Sequence, residues 1–468
     1  MFSKFLSNSK DKLKALLSEL KKEYKYVSIL GVDTKGMRYM VNKMITNISD
    51  EADTERGFVC KMSNGGAFFE YSFDIIEDDI KSFSKKIIEE VKLAKPINEV
   101  KCIDVDEERI VKDFERKSDL DKFTSKDIIS KLTKVKDTIL AKDDHIKNAF
   151  ALVSTINVSK IFISSKKELT QNYCWSNGLI MAYYFDEKMV NARESIDSNY
   201  LGEVLDTLPT LVDKLIDKAK HLVKAKPIEP GIYDVITHPS ITGLIAHEAF
   251  GHGVEMDQFV KDRAIGKEYV NKYVASPLVN MRDGAKATES VASYFFDDDG
   301  VLAHDTLIIK DGILQTGICD LVSSCELKTK PTGNGRRQSY KNKVYTRMTN
   351  TFFEKGTDKL EDMIKSVKHG YMLFETNNGM EDPKNWAIQC VCEYGIEIVD
   401  GRLTDNYVSP VVMSGYVPDL LKSISMISGD FEIDGGGHCG KGYKEWVRVS
   451  DGGPALKARV KLSWLRNL

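Results

Sequence analysis

Residues 226–231 read Lys-Pro-Ile-Glu-Pro-Gly, two prolines and a glycine in six positions. Proline fixes φ, removes a backbone donor and pushes the residue before it out of the helical region, so no regular element runs through this stretch. In a chain of 468 residues, long enough for two or three domains, the break predicts two, residues 1–225 and 226–468. The patterns on its two sides differ in kind. Before it, residues 1–20 and 77–94 carry apolar residues at helical spacing, Ile80, Phe83, Ile87, Ile88 and Val91 in the second case. Residues 57–73 read as two strands around a turn at Asn64, Gly65 and Gly66, and 200–225 as helix, with Pro209 starting or kinking a segment. After the break, Asp299-Gly300, Asp311-Gly312 and Asp400-Gly401 interrupt β-rich runs. Asp-Gly pairs supply the positive φ of tight hairpins, which predicts a meander of antiparallel strands. The expected class is α+β, a mixed α/β N-terminal domain followed by a β-rich C-terminal domain.

Bulk properties remove several functions. Lys plus Arg number 67 against 70 Asp plus Glu, a net charge of −3, without the basic excess of a nucleic-acid binder. No run approaches the 18 or more apolar residues that a membrane span needs, and the first 20 residues lack the apolar core of a signal peptide. The expectation is a cytoplasmic protein that binds neither nucleic acid nor membrane. The eight cysteines, Cys60, Cys102, Cys174, Cys319, Cys325, Cys390, Cys392 and Cys439, form no CxxC pair, and in that compartment they are expected as reduced thiols. Cys390 and Cys392 are two apart in a strand pattern and are expected to fill core space on one face.

Residues 247–252 read His-Glu-Ala-Phe-Gly-His. In the HExxH metal motif the two histidines stand one helical turn apart; here one further residue separates them. Around a regular α-helix, positions i and i+4 lie about 40° apart and i and i+5 about 140° apart. His247 and His252 therefore share an ion only across a local irregularity. Either a π-type turn brings i and i+5 into line, or the helix stops at Gly251 and His252 enters from the loop that follows. Ser240 is a suitable N-cap for the helix, and Ile241, Leu244 and Ile245 form its apolar stripe. A catalytic zinc site usually takes three protein ligands. Cys439 is a candidate third, in the glycine-rich run Ile433–Tyr443, since a thiolate is a soft zinc ligand; taken alone, such a cysteine is more often an ordinary thiol.

Three ordered stretches carry a resemblance: GIYDVITHPSITGLIAHEAFGHGVEMD at 231–257, PTGNGRRQSY at 331–340 followed by RMTNTFF at 347–353, and SISMISGDFEIDGGGHCGKG at 423–442. The chain resembles the TldD/PmbA family, the modulators of DNA gyrase, and within it the TldD type. That resemblance implies an HExxxH metallopeptidase whose zinc is held by His247, His252 and Cys439, with the site in the C-terminal domain. It also implies short or unfolded peptides as substrate, and pairing with a PmbA-like homologue around an enclosed chamber. A homodimer is the alternative assembly.

On this reading Glu248 is the catalytic base, a carboxylate beside the metal but not bound to it. Arg336, Arg337, Tyr340 and Arg347, on glycine-bounded loops, are candidates to polarise the scissile carbonyl or hold a peptide terminus. Asn334 and Asn350 are further polar candidates, and Asp257 is a candidate to orient a ligand histidine. His438 is left open between a supporting group and a competing ligand. The acidic run Asp297-Asp298-Asp299-Gly300 lacks the spacing of a calcium loop, with Ile308 where such a loop needs glutamate, and is expected as a solvated hairpin turn. Two other functions compete: a non-catalytic peptide-binding or scaffold subunit with a structural metal, and an amidase acting on small molecules.

Overall fold

The computed structural model describes residues 1–97, 105 and 107–464; Cys102 lies outside them. The N-terminal half is built on an eight-stranded sheet. Its order is Phe68–Phe73, Glu55–Ser63, Tyr26–Asn42, Ile146–Ser164, Lys167–Asp186 and Ile110–Glu115, with Thr46–Asp50 and Lys188–Ser198 added beside the third and fifth strands. The turn at Asn64–Gly66 forms with Gly65 at φ +96. Helices Lys4–Leu20 and Ile80–Leu93 bury Leu13, Leu16, Phe83 and Ile87 against Ile29 and Phe58 of the sheet. Ser125–Ala141 and Val212–Lys224 bury a second stripe, including Leu132, Leu215 and Ala219. Pro209 opens the 3-10 turn Leu208–Leu211, which joins helix Leu201–Thr207 to Val212–Lys224. Its missing N–H costs nothing at the start of a turn.

Beyond Lys224 the chain has no regular element until Gly231, and the second half is β-rich. Strands His369–Asp382, Gly231–Thr237, Leu456–Ser463, Val411–Tyr416 and Ala387–Val399 pair in that order. The last pairs back with the first, closing a five-stranded ring in which only Gly231–Thr237 and His369–Asp382 run parallel. Closure leaves these strands without open edges. Cys390 and Cys392 are fully buried in the core of this half, beside Leu373, Met413 and Leu462. A six-stranded sheet stands next to the ring and includes Met281–Asp283, Asn350–Phe353, Ser450–Gly453 and Glu432–Asp434. Asp311-Gly312 and Asp400-Gly401 both take positive φ at the hairpins Thr306–Leu314 and Ala387–Val408.

The meander expected across residues 290–318 is largely absent. Before Thr306 only the single bridge Phe296–Leu302 forms. The acidic run is also not a solvated turn, because Asp297, Asp298 and Asp299 are all buried. The reason lies in the other half of the chain. Lys61 and Lys160, from two strands of the N-terminal sheet, pair with Asp299 and with Asp298 (2.5 Å). Asp297 accepts from the backbone N–H groups of Val301 and Gly335, both through one or other carboxylate oxygen.

Candidate metal centre

The segment that carries the two histidines starts differently from its expectation. His238, not Ser240, is the N-cap, its ring accepting from Ser240 N, and Pro239 takes the first helical position. Ser240 Oγ instead accepts from the backbone of Glu375. Helix Pro239–Leu244 buries Ile241 and Leu244 and passes directly into a π-helical turn, Ile245–Gly251. His252 N donates to His247 O, a five-residue hydrogen bond that absorbs the extra residue. The two imidazoles thereby come to one side, ring centres 5.1 Å apart and planes at 89°. Gly251 stays right-handed, at φ −58. Its role is steric, since a Cβ there would collide with Met348 Sδ.

Cys439 arrives on a short hairpin, His438–Lys441 with Glu445–Arg448. Its Sγ lies 3.6 Å from His252 Nε2. Donor atoms of His247, His252 and Cys439 all lie within 4.8 Å of one another. His438, the preceding residue in the strand, is exposed and stands outside this group, as alternation along a strand requires.

These donors fit a zinc ion. Bond lengths of about 2.0–2.1 Å to nitrogen and about 2.3 Å to sulfur at a tetrahedral centre put such atoms roughly 3.5 Å apart, close to the 3.6 Å found. His247 Nδ1 is buried and has no hydrogen-bond partner. Against the upward push of burial, the His252 and His247 rings hold the Cys439 thiol well below its ordinary value. Burial lowers both imidazoles in turn, but the thiolate outweighs it, raising His247 to about 9 and His252 well above its usual value.

Glu248 follows His247 in the π-turn, with Oε2 3.8 Å from His252 Nε2. Its stem lies over Gly379, where an added Cβ would come within 2.6 Å of Glu248 Cγ. The group that orients a histidine is Glu255, whose carboxylate accepts from His252 Nδ1 at 3.1 Å. Asp257, expected in that role, pairs with Lys441 Nζ instead (2.8 Å). Lys441 also donates to Glu255 (3.0 Å). Burial would raise the Glu255 carboxyl, yet Lys441 and His252 hold it down at about 2. For Asp257 burial prevails over Lys441, and its pKa rises to about 6. Glu381 is a further carboxylate near His252 and Glu248; both its oxygens are buried without a hydrogen-bond partner, and burial raises its pKa well above the usual range.

The four candidates for carbonyl or terminus binding have other partners. Arg337 pairs with Glu70 of the N-terminal sheet (2.9 Å), and Tyr340 donates to Asp74. Both therefore join the two halves of the chain, because their loop packs onto that sheet. Arg336 donates to the carbonyls of Met348 (2.7 Å) and Arg448 (2.6 Å). Arg347, fully buried, donates to the carbonyls of Cys439 and Glu445. These two brace the cysteine hairpin. Asn334 bonds Asp283 (2.7 Å), and Asn350 bonds Ser293 (2.9 Å), as buried scaffolding. Of the residues that sequence reasoning missed, Glu255 had a local signal, three positions after His252, whereas Glu381 had none.

Residues 230–461, which hold all three donors, match the family model described as the PmbA/TldA metallopeptidase C-terminal domain. The chain belongs to the PmbA/TldD family. It is similar to a metalloprotease of Methanocaldococcus jannaschii, 27% identical over 400 residues, covering 83% of this chain and 86% of that one. A zinc metalloprotease TldD homolog of Saccharolobus solfataricus is 31% identical over 271 residues, 57% of this chain and 58% of the relative. This PmbA/TldD chain spans about half the length of several other curated relatives it matches. Its fold is that of TldE from Thermococcus kodakarensis, with a TM-score of 0.75 at 17% identity, covering 97% of this chain and 100% of that one. Relatives named as metalloproteases make this a metallopeptidase family. Among the described residues no helix is long and apolar enough to cross a membrane.

Proposed function

We propose that this chain is a zinc metallopeptidase that hydrolyses peptide bonds in short or unfolded polypeptides in the cytoplasm. The observation that carries the reading is the convergence of His247, His252 and Cys439 donor atoms within 4.8 Å. Three protein donors is the number catalytic zinc sites use, while structural ones use four. Zinc held there would supply Lewis acidity, polarising the scissile carbonyl and easing ionisation of water. Glu248 does the proton work: its carboxylate takes a proton from the attacking water and returns it to the departing amine. Its place beside both histidines, with Oε2 3.8 Å from His252 Nε2, supports that role. Glu255 orients the His252 ring through Nδ1 (3.1 Å), leaving Nε2 to face Cys439.

The likeness to a protein named TldE supports assembly with a PmbA-like homologue, with a homodimer as the competing arrangement. The deciding experiment measures zinc per chain and cleavage of unstructured peptides, with and without such a partner. About one zinc per chain and activity lost in Glu248→Gln with zinc retained would uphold the peptidase. Zinc retained and peptides bound but never cleaved would leave a scaffold subunit. Cleavage confined to single-amide compounds, with no response to peptide length, would leave an amidase.

A further inference from the structure

The hairpin that carries Cys439 is a two-stranded sheet of its own, hydrogen-bonded neither to the ring nor to the six-stranded sheet. Its ladder fixes Cys439 only to Val447. The strands Glu432–Asp434 and Ser450–Gly453 of the six-stranded sheet flank it in the chain, and side-chain bonds then fix the cysteine strand against the histidine segment. Cys439 and Lys441 are two apart in one strand and share a face, and Lys441 is the residue that crosses. Its buried ammonium donates to Glu255 Oε2 (3.0 Å), Asp257 Oδ1 (2.8 Å) and the Thr346 carbonyl (2.8 Å). Those three acceptors use every proton an ammonium has. Glu255 Oε2 is also the atom that meets His252 Nδ1. One carboxylate oxygen thus ties the ring of one donor to the strand of another.

We propose that Lys441 is a positioning residue that latches the cysteine hairpin to the histidine segment, holding His252 through Glu255 and Cys439 through its own strand. The inference rests on the zinc reading above. Its consequence is that metal affinity depends on a lysine that would not touch the metal. Arg347 secures the backbone of the same hairpin at Cys439 and Glu445, but it reaches neither histidine among its hydrogen-bond partners. Apart from the contact of Cys439 with His252 itself, Lys441 is the residue whose hydrogen bonds link the cysteine strand to the histidine segment.

The test uses the full chain, stripped of metal and reloaded with zinc or cobalt(II). Zinc affinity is read by competition with a chromophoric chelator, and cysteine ligation by the thiolate-to-cobalt absorption band. Lys441→Met is expected to lose about 10–100-fold in zinc affinity, the usual effect of removing a group that supports a ligand, and to weaken the thiolate band. Lys441→Arg should recover most of both. Because Lys441→Met alone strands Glu255 and Asp257 as uncompensated buried charges, Lys441→Met/Glu255→Gln/Asp257→Asn is made beside it. If that triple variant folds, by circular dichroism, and binds zinc as wild type does with an unchanged band, the latch is overturned. A triple variant that folds and shows the same loss supports it. Failure of the zinc reading looks different: wild type would give no thiolate band, and Cys439→Ser would bind zinc as tightly as wild type.

Discussion

Two of the buried charge clusters among the described residues are built on opposite plans. Where the halves of the chain meet, Lys61 pairs with Asp299, Lys160 with Asp298 and Arg337 with Glu70, so cation and anion alternate. Around the π-turn, two imidazoles and a thiol point at one another, His247 Nδ1 has no hydrogen-bond partner, and neither does the Glu381 carboxylate. Burial and shifted pKa values are common to both. What separates them is whether cations and anions pair off or three donor atoms converge within 4.8 Å of one another. Titration anomalies alone would have marked the acidic run at 297–299 as a site just as readily.

That contrast predicts different responses to substitution. The largest is expected at Cys439→Ser, which should take zinc from about one per chain to near none and abolish peptide cleavage, measured by metal analysis of protein purified without chelator. Retained zinc would remove the distinction between the clusters. Next, Glu248→Gln should lower kcat by about 10²–10⁴-fold with zinc content unchanged. An equal fall in both quantities would mean that Glu248 supports the metal rather than the proton transfer.

Lys61→Met works on the other cluster. It leaves Asp299 buried without its cation and should destabilise the fold by about 3–5 kcal/mol, read by denaturant unfolding, while zinc affinity stays as in wild type. Coupled loss of affinity would show that the two clusters act as one. The smallest effect concerns acid. Burial would raise Glu70, but Arg337 and Lys61 hold it below its ordinary 4.5; Lys160 and Arg337 likewise hold Asp298 below 3.8 despite burial. A carboxylate held low in the fold contributes stability above its ordinary value, and that contribution is lost as pH falls through the depressed one. Lowering the pH from about 5 to 3 should therefore lower Tm. Because Asp299 is raised by burial despite Lys61, it shifts stability in the opposite sense and blunts the fall. Glu70→Gln should flatten the dependence further.

How far the sequence reached differs between these places for physical reasons. Local patterns were legible: the amphipathic helices, the hairpins at Asn64–Gly66, Asp311-Gly312 and Asp400-Gly401, and the turn opened by Pro209 all depend on neighbours a few positions away. The histidine spacing demanded an irregular turn but left two choices, and packing of Gly251 against Met348, nearly a hundred residues on, accompanies the π-turn. The acidic run looked like a solvated turn because its counter-charges, Lys61 and Lys160, lie 238 and 138 positions away. Arg337 and Tyr340 misled for the same reason, their partners being Glu70 and Asp74. Asp257 and Glu255 both stand within five positions of His252 and both bond Lys441, and only the contact with His252 Nδ1, which Glu255 makes, separates them. Ring closure through Gly231–Thr237, which pairs with His369–Asp382 and Leu456–Ser463, was not legible, since no local pattern records which distant strands meet.

The strand order of that ring has a bearing on biosynthesis. Gly231–Thr237 enters first, yet one of its two neighbours, Leu456–Ser463, is made more than two hundred residues later. Cys439 likewise emerges long after the histidines. A chain made only as far as His252 carries the HEAFGH segment but neither its thiol nor the strand that closes the ring behind it. On the proposed reading, the zinc site and the ring behind it are therefore complete only once Cys439 and the strand Leu456–Ser463 have been made.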